Sequence, residues 1–209
     1  MLKLFYAAHT CSLATHIVLA EVRADYSIAR IDFATDQQRS SDFLAVNPKG
    51  RVPALVTERG VLTETPAMLA FVAQSFPAAN LALLDDPFAF AEVQAFNSYL
   101  CSTLHVAHAH RMRGHRWVDA DDKAAIAAMQ RKVPQSVGAC FGLIERDMLK
   151  GPWVMGERYT ICDPYLFTLA QWLEADGVDP GRIPNVIDHR RRMSERPAVR
   201  KAIAEERAA

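Results

Sequence analysis

The sequence has few of the features that mark a secreted, membrane-bound or metal-held protein. Its four cysteines, Cys11, Cys101, Cys140 and Cys162, show no C-x-x-C spacing, so neither a disulfide framework nor a structural zinc site is indicated. No apolar run approaches the roughly 18 residues of a membrane span. The opening stretch Met1 to Tyr6 is interrupted by His9 and Thr10 too soon for a signal peptide, and a cytoplasmic location is expected. Charge of one sign is not in excess either. Lysine plus arginine and aspartate plus glutamate number 24 each, so no net field draws in nucleic acid or an anionic membrane. The expected partner is a small molecule or another protein. Internal repeats and low-complexity segments are also missing.

What is present is enough apolar material for a sizeable core. Half of the 209 residues are hydrophobic, which suits one large domain or two small ones. Residues 2–6 read as a strand, Leu13, Ile17, Val18 and Ala20 fall at helical spacing up to about Arg23, and 26–32 alternates as a second strand. "NPKGRVPALV" then runs into a strand at 54–56, and Glu58-Arg59-Gly60 separates it from Val61-Leu62 as in a tight hairpin. Thr65 is expected to cap the next helix, with Pro66 at its first position. The order β-α-β then β-β-α predicts a small mixed sheet covered by helices over 1–78. A linker is expected at 79–87 and an all-helical domain over 88–209.

In the helical part, one helix is expected from Phe88 to about Arg113 and another from Asp121 to about Leu149, kinked or broken at Pro134. Three more are expected at 161–175, 185–195 and 198–206. Thr160 and Asp163 have the spacing of a capping box. Pro164, which lacks an N–H, follows them and makes that cap more important. The run Arg190-Arg191-Arg192 reads as a solvated helix face.

Chemistry is suggested at three places. Cys11, in "HTCSLATH", falls in the first turn of the first helix, where free N–H groups and the helix dipole favour a thiolate; the competing reading is a small buried packing residue. In "GRVPAL", Pro53 is a candidate for a cis bond that would turn the Val52 backbone toward an extended ligand, or else an ordinary proline at a strand's first residue. Glu64 and Thr65 stand at a helix N-terminus that could hold a carboxylate, with Glu64 facing an ammonium; Thr65 could equally be a plain cap.

Taken together and in order, "FYAAHTCSLATHI", "NPKGRVPALV", "LTETPAMLAFVA" and "YTICDPYLFT" resemble the bacterial glutathione transferases, most closely the beta class. The resemblance spans nearly the whole chain. It implies a thioredoxin-like α/β N-terminal domain, an all-α C-terminal domain and a homodimer that completes each glutathione site with residues of the neighbouring subunit. By position it makes Cys11 and His105 the catalytic pair at the glutathione sulfur. Val52 and a cis Pro53 would meet the cysteinyl backbone, and Glu64 and Thr65 the γ-glutamyl end. Tyr6 and Ser12 are auxiliary candidates, because other transferase classes use a tyrosine or a serine there.

Two departures bear on the glutathione contacts. Where relatives often have a lysine after the second strand, this chain has Thr35, with Gln37 and Gln38 nearby. The partner-subunit asparagine aligns with Ser98, while Asn97 is one residue early, about 100° round the helix. His105, His108 and His110 lack complementary ligands for zinc, so no metal is expected. With Met112 and Trp117 they are expected to border the pocket of a small hydrophobic electrophile or to be partly solvated. The implied activity is a detoxifying conjugation in which glutathione, as co-substrate, attacks through its thiolate. Glutathione-dependent thiol-disulfide exchange through Cys11 is the nearest alternative, and a non-enzymatic binding or scaffold protein on the same fold is a third.

Overall fold

The computed structural model describes residues 1–208. A four-stranded sheet is built from β1 (Leu2–Tyr6), β2 (Tyr26–Arg30), β3 (Ala54–Thr57) and β4 (Gly60–Thr63), in the order β2-β1-β3-β4. β1 runs parallel to β2 with Leu4 opposite Ile28, and antiparallel to β3 with Leu4 opposite Leu55. β3 and β4 form the hairpin, with Leu55 opposite Leu62. Leu4, Tyr6 and Leu55 are all fully buried, so the central strands anchor the core.

Helix α1 (Ser12–Glu21) is buried along its length from Ser12 to Ala20. It is covered on all sides, its buried polar residues Ser12, Thr15 and His16 included, and it packs against α3 (Thr65–Ser75), α7 (Cys162–Ala170) and α9 (Pro197–Ala208). It is therefore the joint between the sheet and the helical layer. Between β2 and β3 in the chain comes a six-residue helix, α2 (Ser41–Val46), capped by the Ser40 hydroxyl, which accepts from Phe43 N–H at 3.2 Å. Phe43 is its one buried side chain and lies against Phe5. One apolar contact in six residues has no readable period, so this stretch reads only as polar connection.

Several elements depart from expectation. Thr65 begins α3 rather than capping it; the cap position is Glu64, with φ 69°, and no side chain caps that end. Residues 81–83 are no free tether, because Leu81, Ala82 and Leu83 are buried and Leu81 C=O accepts from Ile161 N–H at 2.8 Å. The helix expected from Phe88 to Arg113 is α4 (Pro87–Tyr99) and α5 (His105–Arg113) joined by a π-helical turn over Leu100–Leu104. Such wide turns recur at functional sites. Here it carries Cys101 and leads directly into His105. In α6 (Lys123–Leu143), Pro134 does not end the helix, which continues to Leu143 and a second π-turn.

α8 (Pro184–Glu195) closes on α7 through a buried carboxylate. Asp163 accepts from Thr160 N–H at 2.7 Å and Val154 N–H at 2.8 Å, and pairs with His189 Nε2 at 2.9 Å, with no exposure of its own. The carboxylate half of the expected capping box is thus present. The Thr160 hydroxyl accepts instead from Cys162 N–H, at 3.3 Å. The arginine run is not a bare solvated face either. Arg190 pairs with Glu174, and Arg192 donates to Asp188 and to the Pro152 carbonyl. Among the described residues no helix is long and apolar enough to cross a membrane.

Candidate active site

A cleft of about 970 Å³ opens between the sheet-bearing part and α5. Its floor comes from the turn between β1 and α1. There the Ser12 hydroxyl donates to Ala7 C=O at 3.1 Å and lies 2.8 Å from Thr10 Oγ1, and Thr10 donates to Ala7 C=O at 2.7 Å. This network fixes Cys11 at the mouth of α1. Cys11 Sγ donates to Val52 C=O at 3.8 Å, across the cis Val52–Pro53 bond.

The first-turn N–H groups of α1 are already engaged. Ser12 N–H bonds Thr10 Oγ1, while Leu13 and Ala14 N–H bond the carbonyls of Thr10 and Cys11. With those dipoles occupied, desolvation dominates and pushes the Cys11 thiol up to about 11, despite a hydrogen bond from Thr65. A lowered pKa, which the helix-terminus position alone suggests, is not what this environment produces; Cys11 is a thiol at neutral pH.

His105 reaches the same cleft from α5, together with Cys101 and His108. Burial, helped by the nearby His108, Arg116 and Arg51, lowers its pKa to about 4, so the ring is neutral at pH 7. His108 is held in place: its Nδ1 lies 2.7 Å and 2.9 Å from the two oxygens of buried Asp176, and its ring stacks on Trp172 with centroids 4.1 Å apart. Trp172 Nε1–H in turn donates to His9 C=O at 3.1 Å, tying the helical wall to the turn that carries Cys11. His110 lies edge-on to Trp117 and does not line the cleft, whereas Met112 and Trp117 do.

Of the residues singled out from sequence, the fold brings Cys11, Val52, Pro53, Glu64, Thr65 and His105 to this one cleft. It does not bring Tyr6, Ser12, Thr35, Asn97 or Ser98 there. Tyr6 is buried beneath the sheet's covering helices with its hydroxyl 3.5 Å from Glu206 C=O, and Ser12 is enclosed in the turn network just described. Thr35 is exposed and donates to its own loop, to Asp32 C=O at 3.2 Å; Gln38, rather than Gln37, reaches the cleft. Asn97 is fully buried inside its own subunit, with no protein partner for either amide atom, which takes it out of reach of a neighbour's cleft. Ser98 is exposed.

Lys49, Arg51, Arg113, Arg116, Tyr165 and Trp172 also line the cleft, beyond the residues expected from sequence. Lys49 donates to Thr63 Oγ1 at 2.6 Å and pairs with Glu64 at 2.5 Å. Its signal lay in "NPKGR", where Gly50, at φ 60°, turns the chain so that the residues on either side return to the site. Trp172 carried no local signal, since only packing between distant segments places it there.

Residues 2–74 match the family model described as glutathione S-transferase, N-terminal domain, and residues 100–197 that of the glutathione S-transferase C-terminal domain. Glutathione S-transferase GstA of Escherichia coli O157:H7 is 31% identical over 98% of each chain. The chain belongs to the glutathione S-transferase family. Among solved structures, a glutathione transferase homologue from Sulfitobacter with bound glutathione superposes with a TM-score of 0.94 at 42% identity, covering 98% of both chains. The beta-class glutathione S-transferase of Sphingomonas chungbukensis gives 0.85 at 31% identity, again over 98% of both. Bacterial beta-class glutathione transferases are thus among its structural neighbours, and its mixed sheet with a helical C-terminal layer is the family fold.

Proposed function

We propose that this family member conjugates glutathione to small hydrophobic electrophiles, with 1–78 as the glutathione-binding unit and 88–209 supplying the acceptor side. The observation that carries the reading is the convergence of Cys11, Val52, Glu64-Thr65 and His105 on one cleft large enough for a tripeptide and an acceptor. Glutathione would lie extended along Val52, its γ-glutamyl carboxylate at Thr65 and the α3 N-terminus, its ammonium at Glu64. Its sulfur would sit between Cys11 and His105.

The protonation states fit conjugation. A thiol titrating near 11 and a neutral imidazole are both hydrogen-bond donors at pH 7, suited to stabilising a visiting thiolate. The glutathione thiol gives up its proton to solvent, the thiolate forms a bond to the electrophilic carbon, and either the leaving group departs with the bonding pair or the adduct takes a proton from solvent. Positioning completes the enzyme's contribution. Thiol-disulfide exchange through Cys11 is the second reading, supported by the cysteine's place in the cleft and weakened by its raised pKa, since the thiolate is the nucleophile. A binding or scaffold role has no specific support in the site.

A homodimer is part of the proposal, with exposed Ser98 rather than Asn97 offered to the neighbour's glutathione. The test is to assay the protein with glutathione and a chlorodinitrobenzene, and in parallel with a glutathione mixed disulfide. Accelerated conjugation is expected. No acceleration of either reaction, together with no glutathione binding by calorimetry, would overturn the enzymatic reading.

A further inference from the structure

The charge of the cleft is lopsided in a protein whose overall charge is balanced. Five permanently charged basic side chains line it, Arg39, Lys49, Arg51, Arg113 and Arg116, against a single carboxylate, Glu64. Lys49 already pairs with Glu64, and Arg39 lies 4.0 Å from Asp36. Arg51, Arg113 and Arg116 have no carboxylate at ion-pair distance among the described residues. They are also close enough to repel one another: Arg51 and Arg113 both act on Arg116, and Arg51 and Arg116 both act on His105. Mutual repulsion of unpaired guanidinium groups is relieved by an anion placed between them.

Glutathione does not account for all three. At neutral pH it carries two carboxylates and one ammonium. Its γ-glutamyl end is a zwitterion facing Thr65 and Glu64, which leaves one glycyl carboxylate for one cation. Arg51, on the "NPKGR" turn beside Val52, belongs to that half of the cleft. Arg113 and Arg116 belong to the other half, at the end of α5 and in the turn after it. Around them the walls are apolar: Arg113 lies over the Phe33 ring at 5.9 Å, and Met112 and Trp117 are exposed into the same opening. An apolar wall carrying two guanidinium groups without carboxylate partners fits an acceptor with an apolar body and a carboxylate, because a single guanidinium can donate two parallel N–H bonds to a carboxylate's two oxygens.

We propose that the acceptor half of the cleft selects electrophiles bearing a carboxylate, held by Arg113 and Arg116 while Phe33, Met112 and Trp117 cover the rest of the molecule. This rests on the glutathione-conjugation reading and narrows it from hydrophobic electrophiles to anionic ones.

The test uses a chlorodinitrobenzene with a carboxylate para to chlorine, alongside its methyl ester. In both, the thiolate forms the sulfur–carbon bond and chloride leaves; the ester also activates the ring more strongly, so the comparison is read from KM and from conjugate Kd and not from kcat. The expected result is a KM about tenfold lower for the carboxylate at low salt, with the ratio shrinking as ionic strength rises. In R113Q/R116Q the ratio should return to near one. Calorimetry with the two finished glutathione conjugates reads the same preference as a Kd ratio, whether or not turnover is measurable. Equal KM and equal Kd for acid and ester would overturn the proposal while leaving the conjugation reading intact. If glutathione itself fails to bind, the conjugation reading falls instead. A preference that survives in R113Q/R116Q would reject these two arginines as its source.

Discussion

Asp176, nearly fully buried, holds His108 by its Nδ1 at 2.7 Å while Arg111 Nε lies 3.1 Å from the same carboxylate. One acid thus fixes two basic side chains, and through the His108 ring it fixes Trp172, the wall of the cleft opposite Cys11. Asp176→Ala would leave Arg111 without its counter-charge and the His108 Nδ1 without its hydrogen-bond partner. A loss of about 2 kcal/mol is expected, read from urea unfolding. Because His108 and Trp172 stand on the acceptor side, the electrophile KM should rise severalfold and the glutathione KM much less. An unchanged electrophile KM would show that the pair only holds the helices together.

Cys11 divides two chemistries. Cys11→Ala should abolish disulfide exchange and only reduce conjugation, by roughly tenfold, since His105 still donates to the sulfur. Equal loss of both activities would end that division of roles. The raised pKa gives a separate check: iodoacetamide should alkylate Cys11 slowly at pH 7.5, with a rate that climbs toward a midpoint near 11. Tracking the Cys11 peptide by mass separates it from Cys101, which lines the same cleft. Rapid alkylation with a midpoint below 8 would show that the α1 terminus outweighs desolvation after all.

The local part of this architecture is legible in the sequence and the non-local part is not. β1, α1 and the β3–β4 hairpin announce themselves through period and turn chemistry, and the cysteine, Val-Pro and Glu-Thr elements sit within or beside them. α2 is invisible because Phe43 alone faces the core. The π-turn at 100–104 is equally hidden, since one extra residue per turn leaves no mark on composition. Cys11 shows how position can mislead about electrostatics. A helix terminus suggests an acidic thiol, but whether the first-turn N–H groups are free depends on Thr10 and Ser12, and desolvation depends on residues from α3 and α7. The basic acceptor wall was missed for a different reason. Arg113 and Arg116 are only three residues apart, but two arginines at that spacing read as an ordinary solvated helix end, and a net charge of zero conceals that the fold brings them to the same cleft as the distant Arg51.

His105 should be visible in the stability of the protein as a function of pH. Its folded pKa, about 4, lies below its usual 6.5, so as pH falls the unfolded chain takes up this proton first. By linkage, the stability associated with keeping the ring neutral is full above about pH 6.5 and is lost between there and pH 4. The amount is on the order of 3 kcal/mol. His105→Gln should therefore flatten the acid limb of the stability curve over that window, measured by urea midpoints at closely spaced pH values. Conjugation by the native protein should show no inflection near 6.5 from this group. An unaltered acid limb in the variant would mean that His105 binds its proton equally well in the folded and unfolded chain.

The Asp163 cap is expected to matter more than its length of chain suggests. Its carboxylate serves two backbone N–H groups from separate segments and the His189 ring, all of them buried. Pro164, just after it, removes one of the N–H groups that would otherwise help to start α7. Asp163→Ala leaves three buried donors without an acceptor, at about 1–3 kcal/mol for each one that finds no new partner, so a loss of 3–5 kcal/mol overall is expected. Asp163→Asn keeps one acceptor oxygen but turns an N–H₂ toward a donor, and should recover less than half. Thr160→Ala removes the hydroxyl's bond from Cys162 N–H and its long 3.4 Å bond to Asp163, and should cost about 1 kcal/mol. Because Asp163 does not line the cleft, glutathione KM in the surviving folded fraction should stay unchanged while the urea midpoint falls. A midpoint loss no larger than that of Thr160→Ala would show that the N–H groups and His189 find other acceptors, and that α7 does not depend on this carboxylate.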